Sequence, residues 1–254
     1  TNAVYGFISI LLKIINELKP DYILATFDMA APTFRHKAFK EYKAQRVKAP
    51  DELYAQFPLI KEILSLLAIP IYEKEGYEAD DILGTAVTIF EKENPHDEII
   101  IVTGDLDTLQ LISDRTKVFT MKKGLSDTIL YDEKAVVDRY GFSPERVIDY
   151  KGLRGDPSDN IPGVRGIGEK TATDLIKQFG NIENIYKNIA KGKSDSVRKK
   201  LEESKEEAFF SRELATINTS VPIDIKKETA RYSGHINKNK KLRDLFITLG
   251  FRSL

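Results

Sequence analysis

The 254-residue sequence contains no cysteine, which excludes a disulfide framework and a zinc site built on thiolates. Histidine is scarce: His36, His96 and His235 are the three present, and they lie far apart, so an imidazole-built metal site is not expected either. Any metal here must be held by oxygen. No run approaches the roughly 20 uninterrupted apolar residues a membrane span needs, and Thr1 to Gly6 lack the basic start and apolar stretch of a signal peptide. The expected location is therefore the cytoplasm, with no membrane partner. The pattern Gly-x-x-x-x-Gly-Lys-Ser/Thr is missing, which excludes a P-loop. No internal repeat or low-complexity linker interrupts the chain.

Charge of one sign is also lacking, since Lys+Arg and Asp+Glu both number 39. The net charge gives no reason to expect nucleic acid, but its distribution does. Between Arg35 and Lys48 stand Arg35, His36, Lys37, Lys40, Lys43, Arg46 and Lys48 against Glu41 alone. Acids gather elsewhere, at Glu78, Asp80, Asp81, Asp105, Asp107, Asp156 and Asp159. A neutral total divided in this way suits a protein that grips phosphate in one place and metal in another. With 41% hydrophobic residues, the chain can bury a full core as one large domain or two small ones.

Val4, Phe7, Ile8, Leu11, Leu12, Ile15 and Leu18 recur at helical spacing until Pro20, which predicts an opening amphipathic helix. Tyr22–Phe27, ending at Asp28, and Ile99–Val102, before Asp105, read as short apolar strands, with a third near Val118. Helical patterns separate them at Leu53–Leu67, bent at Pro58, and at Ala79–Glu93. This alternation predicts an α/β core with a parallel sheet over residues 1–141. After Gly141 no strand is expected. Helices follow from Ser143 to about Leu153, from Glu169 to Gly180, and near Asn181–Asn188, Ser194–Glu203 and Lys205–Ile217, so residues 142–254 read as a small all-α subdomain.

Ligands of open α/β sheets bind beyond the carboxyl ends of strands, where Asp28 and Asp105 stand. Asp105 and Asp107, two apart, can aim two carboxylates into one crevice. Glu78, Asp80 and Asp81 fall at a helix start, where acids also serve as caps, and Asp156 to Asn160 could be an ordinary Asx-turn. Four segments that each place carboxylates at strand ends, helix starts or turns point further, because converging carboxylates repel unless cations sit between them. Oxygen ligands favour Mg²⁺ or Mn²⁺, and two such ions about 4 Å apart clamp the attacking and leaving oxygens of a phosphodiester. In the basic stretch, Lys43 and Arg46 are three apart, as are Phe39 and Tyr42. A helix there would alternate cations for phosphate with rings for bases, although a solvated lysine face is the usual meaning of such a run. Ile161–Ala172 reads IPGVRGIGEKTA. Gly163, Gly166 and Gly168 allow a tight turn with outward N–H groups, and the helix starting near Glu169 adds its positive end, an arrangement that grips phosphate without reading sequence.

The segments TNAVYGF (Thr1–Phe7), FDMAAPTFRHKAFKEYKAQR (Phe27–Arg46), GYEADD (Gly76–Asp81), TGDLDTLQL (Thr103–Leu111) and GDPSDNIPGVRGIGEKTA (Gly155–Ala172) resemble, in this order, the motifs of the 5′-nucleases. That family includes flap endonucleases, phage 5′-exonucleases and, with the strongest likeness, the N-terminal domain of bacterial DNA polymerase I. The resemblance implies a PIN- or resolvase-like core and a helix-three-turn-helix subdomain. It implies that Asp28, Glu78, Asp80, Asp81, Asp105, Asp107, Asp156 and Asp159 bind two active-site Mg²⁺ or Mn²⁺ ions, directly or through water. Thr33 to Lys48 would form a basic arch in which Arg35, Lys43 and Arg46 hold the scissile region, beside Lys40 and with Tyr42 stacking. The glycine turn, through Gly163, Arg165, Gly166, Gly168, Lys170 and Thr171, would bind the duplex backbone, with K⁺ at the turn.

The resemblance further leads us to expect an apolar strand carrying one more metal-binding Asp ahead of Thr1, and a polymerase module after Leu249–Leu254. The activity expected is structure-specific hydrolysis of branched, nicked or 5′-flapped DNA. Two other readings stand beside it: a non-catalytic DNA-binding module, if that first strand is absent from the native protein, and an RNA-cutting nuclease of the PIN type.

Overall fold

The computed structural model describes residues 2–123, 127–191, 194–234 and 239–251. Thr1, His235 and the last three residues of Leu249–Leu254 lie outside the described residues. In chain order the elements are α1 (Asn2–Leu18), β1 (Ala25–Thr26), α2 (Phe34–Ala38), α3 (Asp51–Tyr54), α4 (Phe57–Leu66), β2 (Ile71–Tyr72), α5 (Ala79–Glu93) and β3 (Ile99–Val102). There follow β4 (Thr116–Lys123), β5 (Asp127–Tyr131), α6 (Glu133–Tyr140), α7 (Val147–Arg154), α8 (Glu169–Phe179), α9 (Ile182–Lys187), α10 (Asp195–Glu203), α11 (Lys205–Ala215) and α12 (Lys240–Thr248). Two compact units emerge. The first joins Thr1–Met29, Val47–Lys74 and Pro222–Leu254, and the second joins Ala30–Arg46 to Glu75–Val221.

In the first unit, α1 buries Val4, Ile8, Leu11 and Ile14, three or four apart, and ends at Leu18 just ahead of Pro20. This is the amphipathic helix the spacing predicts. Ile8, Ile63, Leu64, Leu242 and Phe246 share one core cluster, which joins α1 to α4 and α12. The strand expected over Tyr22–Phe27 makes a ladder only at Ala25 and Thr26, parallel to β2 in the register Ala25↔Ile71. Its flank is tied differently: the Ile23 N–H donates to the Ala230 carbonyl at 2.7 Å. The helix expected over Leu53–Leu67 divides into α3 and α4 ahead of Pro58, not at it. Pro58 lies in the first turn of α4, where a missing N–H removes no helical hydrogen bond.

In the second unit β3 pairs in parallel with β4, while β4 pairs antiparallel with β5 in the register Val118↔Tyr131. The parallel pairing expected from the sequence is present at β1–β2 and β3–β4, and β5 adds an antiparallel strand that the sequence did not mark. Lys123 and Asp127 are too close in the chain for the crossover that a parallel neighbour requires, so β5 has to return antiparallel. α5 spans Ala79–Glu93 as predicted. Among the described residues no strand follows β5. Instead of one helix from Ser143, a 3₁₀ turn at Pro144–Arg146 leads into α7. α8 ends against Gly180, and Asn181 and Ser194 cap α9 and α10 through their side chains, as short polar residues at helix starts do. Leu109, Leu153, Leu175 and Ile182 lie fully buried in one cluster that ties the sheet side of this unit to its helices.

Candidate active site

The second unit brings together acids from the start of α5, from the turn after β3 and from the turn after α7. At the first of these, Asp81 is wholly buried. Its Oδ2 accepts the Glu78 N–H at 3.0 Å and its Oδ1 accepts the Asn218 N–H at 2.8 Å. Arg35, 3% exposed, donates to both oxygens of Asp81 at 2.8 Å, to Glu78 Oε2 at 3.2 Å, and to the carbonyls of Leu214 and Thr216 at 2.8 and 2.7 Å. Burial works against its charge, but the hydrogen bond and charge of Asp81 hold the guanidinium above its ordinary range. Asp81 thus caps its helix and is ion-paired at once. Asp80 is half-buried beside it.

After β3, Asp105 is exposed, and its side chain accepts the Asp107 N–H at 2.9 Å, which starts the 3₁₀ turn Leu106–Leu111. Asp107 faces inward. After α7, Asp156 accepts from the Ser158 N–H and hydroxyl at 2.9 and 2.6 Å, the Asx-turn that the sequence allowed. Lys151 of α7, a residue the sequence reading did not single out, ties these two segments together. Its ammonium donates to Asp107 Oδ1 and to Asp156 Oδ2 at 2.6 Å. Burial, and next the charges of Asp105 and Asp156, outweigh Lys151 and push the Asp107 carboxyl up to about 6. Burial also raises Asp156, but the hydrogen bonds from Lys151 and Ser158 prevail and hold it down at about 2. The sequence carries no signal for Lys151, which stands between charged Asp149 and Arg154 and is set apart only by its burial in α7.

The basic stretch closes over the same acids, but not as one helix. α2 ends at Ala38 and the chain then turns, with Lys43 in the left-handed region at φ 56°. The Lys43 N–H donates to the Asp159 carbonyl at 2.9 Å, and its ammonium donates to Glu78 Oε1 at 2.6 Å. Arg46, half exposed, pairs with Asp159 Oδ1 at 2.5 Å. Tyr42 requires a correction. Its ring is 3% exposed, in a cluster with Ile161 and Leu214, so it offers no face for a base to stack on. Its hydroxyl lies 3.0 Å from Glu78 Oε2 and 3.1 Å from Asp159 Oδ2, able to donate to one at a time. Burial, then these two carboxylates, raise its pKa. Lys40 is exposed. Asp28 is exposed in the first unit, just past β1.

Among the described residues no group of three or more histidine or acidic side chains is arranged to hold a metal ion. Lys151, Lys43, Arg35 and Arg46 lie between the carboxylates and offset part of their mutual repulsion.

In the glycine turn, Arg165, Gly166, Gly168 and Lys170 are exposed and Thr171 half-buried. Gly163 is different: its N–H donates inward to Ser211 Oγ at 2.9 Å, so that amide is not one of the outward donors expected. The reason is steric. Gly163 has φ 63°, and a Cβ there would meet the Gly155 nitrogen at 2.2 Å, so glycine lets the turn close against the end of α7. The carbonyl of Gly166 accepts from Lys200 of α10 at 3.1 Å.

Among the described residues no helix is long and apolar enough to cross a membrane. The 5′-3′ exonuclease N-terminal resolvase-like domain matches residues 1–141, and the 5′-3′ exonuclease C-terminal SAM fold matches residues 142–238. DNA polymerase I of Bacillus subtilis (strain 168) is 45% identical over 254 residues, which is all of this chain but 28% of that protein. The chain thus spans less than a third of the curated relatives it matches. In fold it is similar to T5 5′-exonuclease solved with zinc, at TM-score 0.70 and 23% identity over 85% of this chain and 82% of that one. It is also similar to the catalytic core of Rad2 in complex with DNA substrate, at TM-score 0.62 and 19% identity over 96% and 78%. A mixed α/β resolvase-like core followed by helices, with a family match running from residue 1 to residue 238, places the chain in the 5′-3′ exonuclease family.

Proposed function

We propose that the chain hydrolyses phosphodiester bonds of branched, nicked or 5′-flapped DNA, removing 5′ flaps or primers in replication and repair. The observation that carries this reading is the single network in which acids of three segments, Glu78 with Asp81, Asp107, and Asp156 with Asp159, interleave with Arg35, Lys43, Arg46 and Lys151. The donor set is oxygen throughout, and the Lys151 ammonium between Asp107 and Asp156 supports a cation position there, so these residues fit Mg²⁺ or Mn²⁺. Asp107, Asp156, Asp105 and Asp159 would hold such ions, with Glu78, Asp80 and Asp81 behind them. Asp28 rests on the resemblance alone. When bound, two ions would supply a water made acidic enough to attack and a counter-charge for the leaving 3′ oxygen.

The chain's own residues do the rest. Lys43 and Arg46, on an exposed turn at the edge of the acids, would exchange Glu78 and Asp159 for the scissile phosphate and offset its charge. Arg35 is too deeply buried to reach substrate, and its part is to fix Asp81 and Glu78. The exposed Arg165, Gly166, Gly168 and Lys170, at the positive start of α8, would grip the duplex backbone away from the cut, with K⁺ at the turn as the resemblance implies. Cutting thus belongs to residues 1–141 together with the Asp156–Asp159 turn, and duplex grip to residues 142–254. The polymerase relative supports action in the cytoplasm as one module of a longer replication protein.

The test is incubation with Mg²⁺ and labelled 5′-flap DNA, nicked duplex and single-stranded RNA. Cleavage of flap and nicked DNA, leaving a 5′ phosphate and a 3′ hydroxyl, is the expected result. Cleavage of RNA alone, or binding with no cleavage, would replace this reading with one of its two rivals.

A further inference from the structure

Lys151 sits where a resident metal would be expected to act, and its surroundings explain why an ammonium is needed there. It is 8% exposed and bridges carboxylates 44 and 5 residues away in sequence. Asp156 is itself 9% exposed, and Asp107 is mostly buried beside Asp105. Two carboxylates this far out of water cost several kcal/mol each unless a cation compensates them. A lysine ammonium is a compact point charge with rotatable donors, the protein group closest in character to a small cation. It occupies Asp107 Oδ1 and Asp156 Oδ2, oxygens that a metal held by these residues would also need. Both cations cannot use them together.

We propose that Lys151 is a built-in counter-cation that keeps Asp107 and Asp156 assembled in the metal-free protein and is displaced from them when a divalent ion binds. The inference rests on the reading of these two acids as metal ligands. It makes Lys151 a positioning residue that sets the affinity for metal. Its presence lets the acidic site fold without metal, and its displacement takes part of the metal's binding free energy, as for any ligand that must first shift an occupied site. A purely structural ion pair would behave differently, because removing it would loosen the two carboxylates and weaken metal binding.

The test compares wild type, Lys151→Met and Lys151→Arg as full chains without DNA, reading Mn²⁺ affinity by electron paramagnetic resonance of the free ion and melting temperature in chelator and in Mn²⁺. Lys151→Met keeps the apolar stem and removes the competitor. It should bind Mn²⁺ about tenfold more tightly, melt lower than wild type in chelator, and recover that loss when Mn²⁺ is added. Lys151→Arg, which keeps a cation, should stay near wild-type affinity. If Lys151→Met does not fold in chelator, Lys151→Gln, whose amide can still donate without charge, carries the same comparison. Equal or weaker Mn²⁺ binding by the uncharged variants overturns the counter-cation role while leaving the metal site standing. No Mn²⁺ uptake by any variant, wild type included, overturns both.

Discussion

Replacing Arg35 by Met removes a buried cation and strands a buried anion. Asp81 has no exposure at all and Arg35 has 3%, so solvent cannot take over the lost partner. The Asn218 and Glu78 amides would still donate to Asp81, but no positive charge would remain against it. Removing one partner of a buried pair destabilises by about 3–5 kcal/mol. The carbonyls of Leu214 and Thr216 lose their donors too, which keeps the expected figure toward the upper end. For a unit of this size that corresponds to a fall in melting temperature on the order of 10 °C. Thermal unfolding followed by circular dichroism reads it directly. The double variant Arg35→Met with Asp81→Leu should recover part of the loss, since it removes the stranded charge. A melting temperature within a degree or two of wild type, combined with strongly reduced cleavage, would refute the reasoning and return Arg35 to the substrate.

Gly163→Ala should destabilise severely, because its Cβ would meet backbone of Arg154 and Gly155, whereas Gly168→Ala meets nothing within 4 Å and should fold normally; urea denaturation separates the two. Arg165→Ala with Lys170→Ala should weaken duplex binding and reduce the slope of log affinity against log salt by about one per lost phosphate contact, while the cleavage rate at saturating DNA holds. An unchanged slope would take these residues off the backbone. Glu183 is held below its ordinary carboxyl value first by its hydrogen bonds from Arg212, at 2.9 and 2.6 Å. A depressed carboxyl adds stability that is complete above its unfolded pKa and is lost as pH falls through the folded one. Glu183→Gln should therefore lose less melting temperature than wild type between roughly pH 6 and pH 3.

How much of this was legible in the sequence depended on the range of the forces involved. α1, α5 and α8 were readable because their burial pattern and their ends at Pro20, Glu78 and Gly180 are local. β2 and β5 were not, since two residues of ladder at Ile71–Tyr72 carry no period, and β5 is defined by its partner β4. Carboxylates at strand ends and helix starts stand out in a sequence, and the structure draws Glu78, Asp81, Asp107, Asp156 and Asp159 into ion pairs. Which cations face them was hidden: Lys151 meets Asp107 from 44 residues away, and Arg35 meets Asp81 from 46. Tyr42 misled because an aromatic among lysines reads the same whether its ring faces solvent or, as here, packs against Ile161 and Leu214.

The central claim is that the acids around Asp107 carry metal-dependent cleavage of DNA. The most direct test measures cleavage of a 5′-flap DNA by wild type and Asp107→Ala, in Mg²⁺ and in chelator, with binding measured separately in Ca²⁺. Wild type should cut in Mg²⁺ and stop in chelator, and Asp107→Ala should not cut in either yet bind DNA within a few-fold, because on the proposed reading it loses a carboxylate that would both hold metal and repel phosphate. Asp107→Ala cutting at near the wild-type rate, or wild type cutting undiminished in chelator, would contradict it.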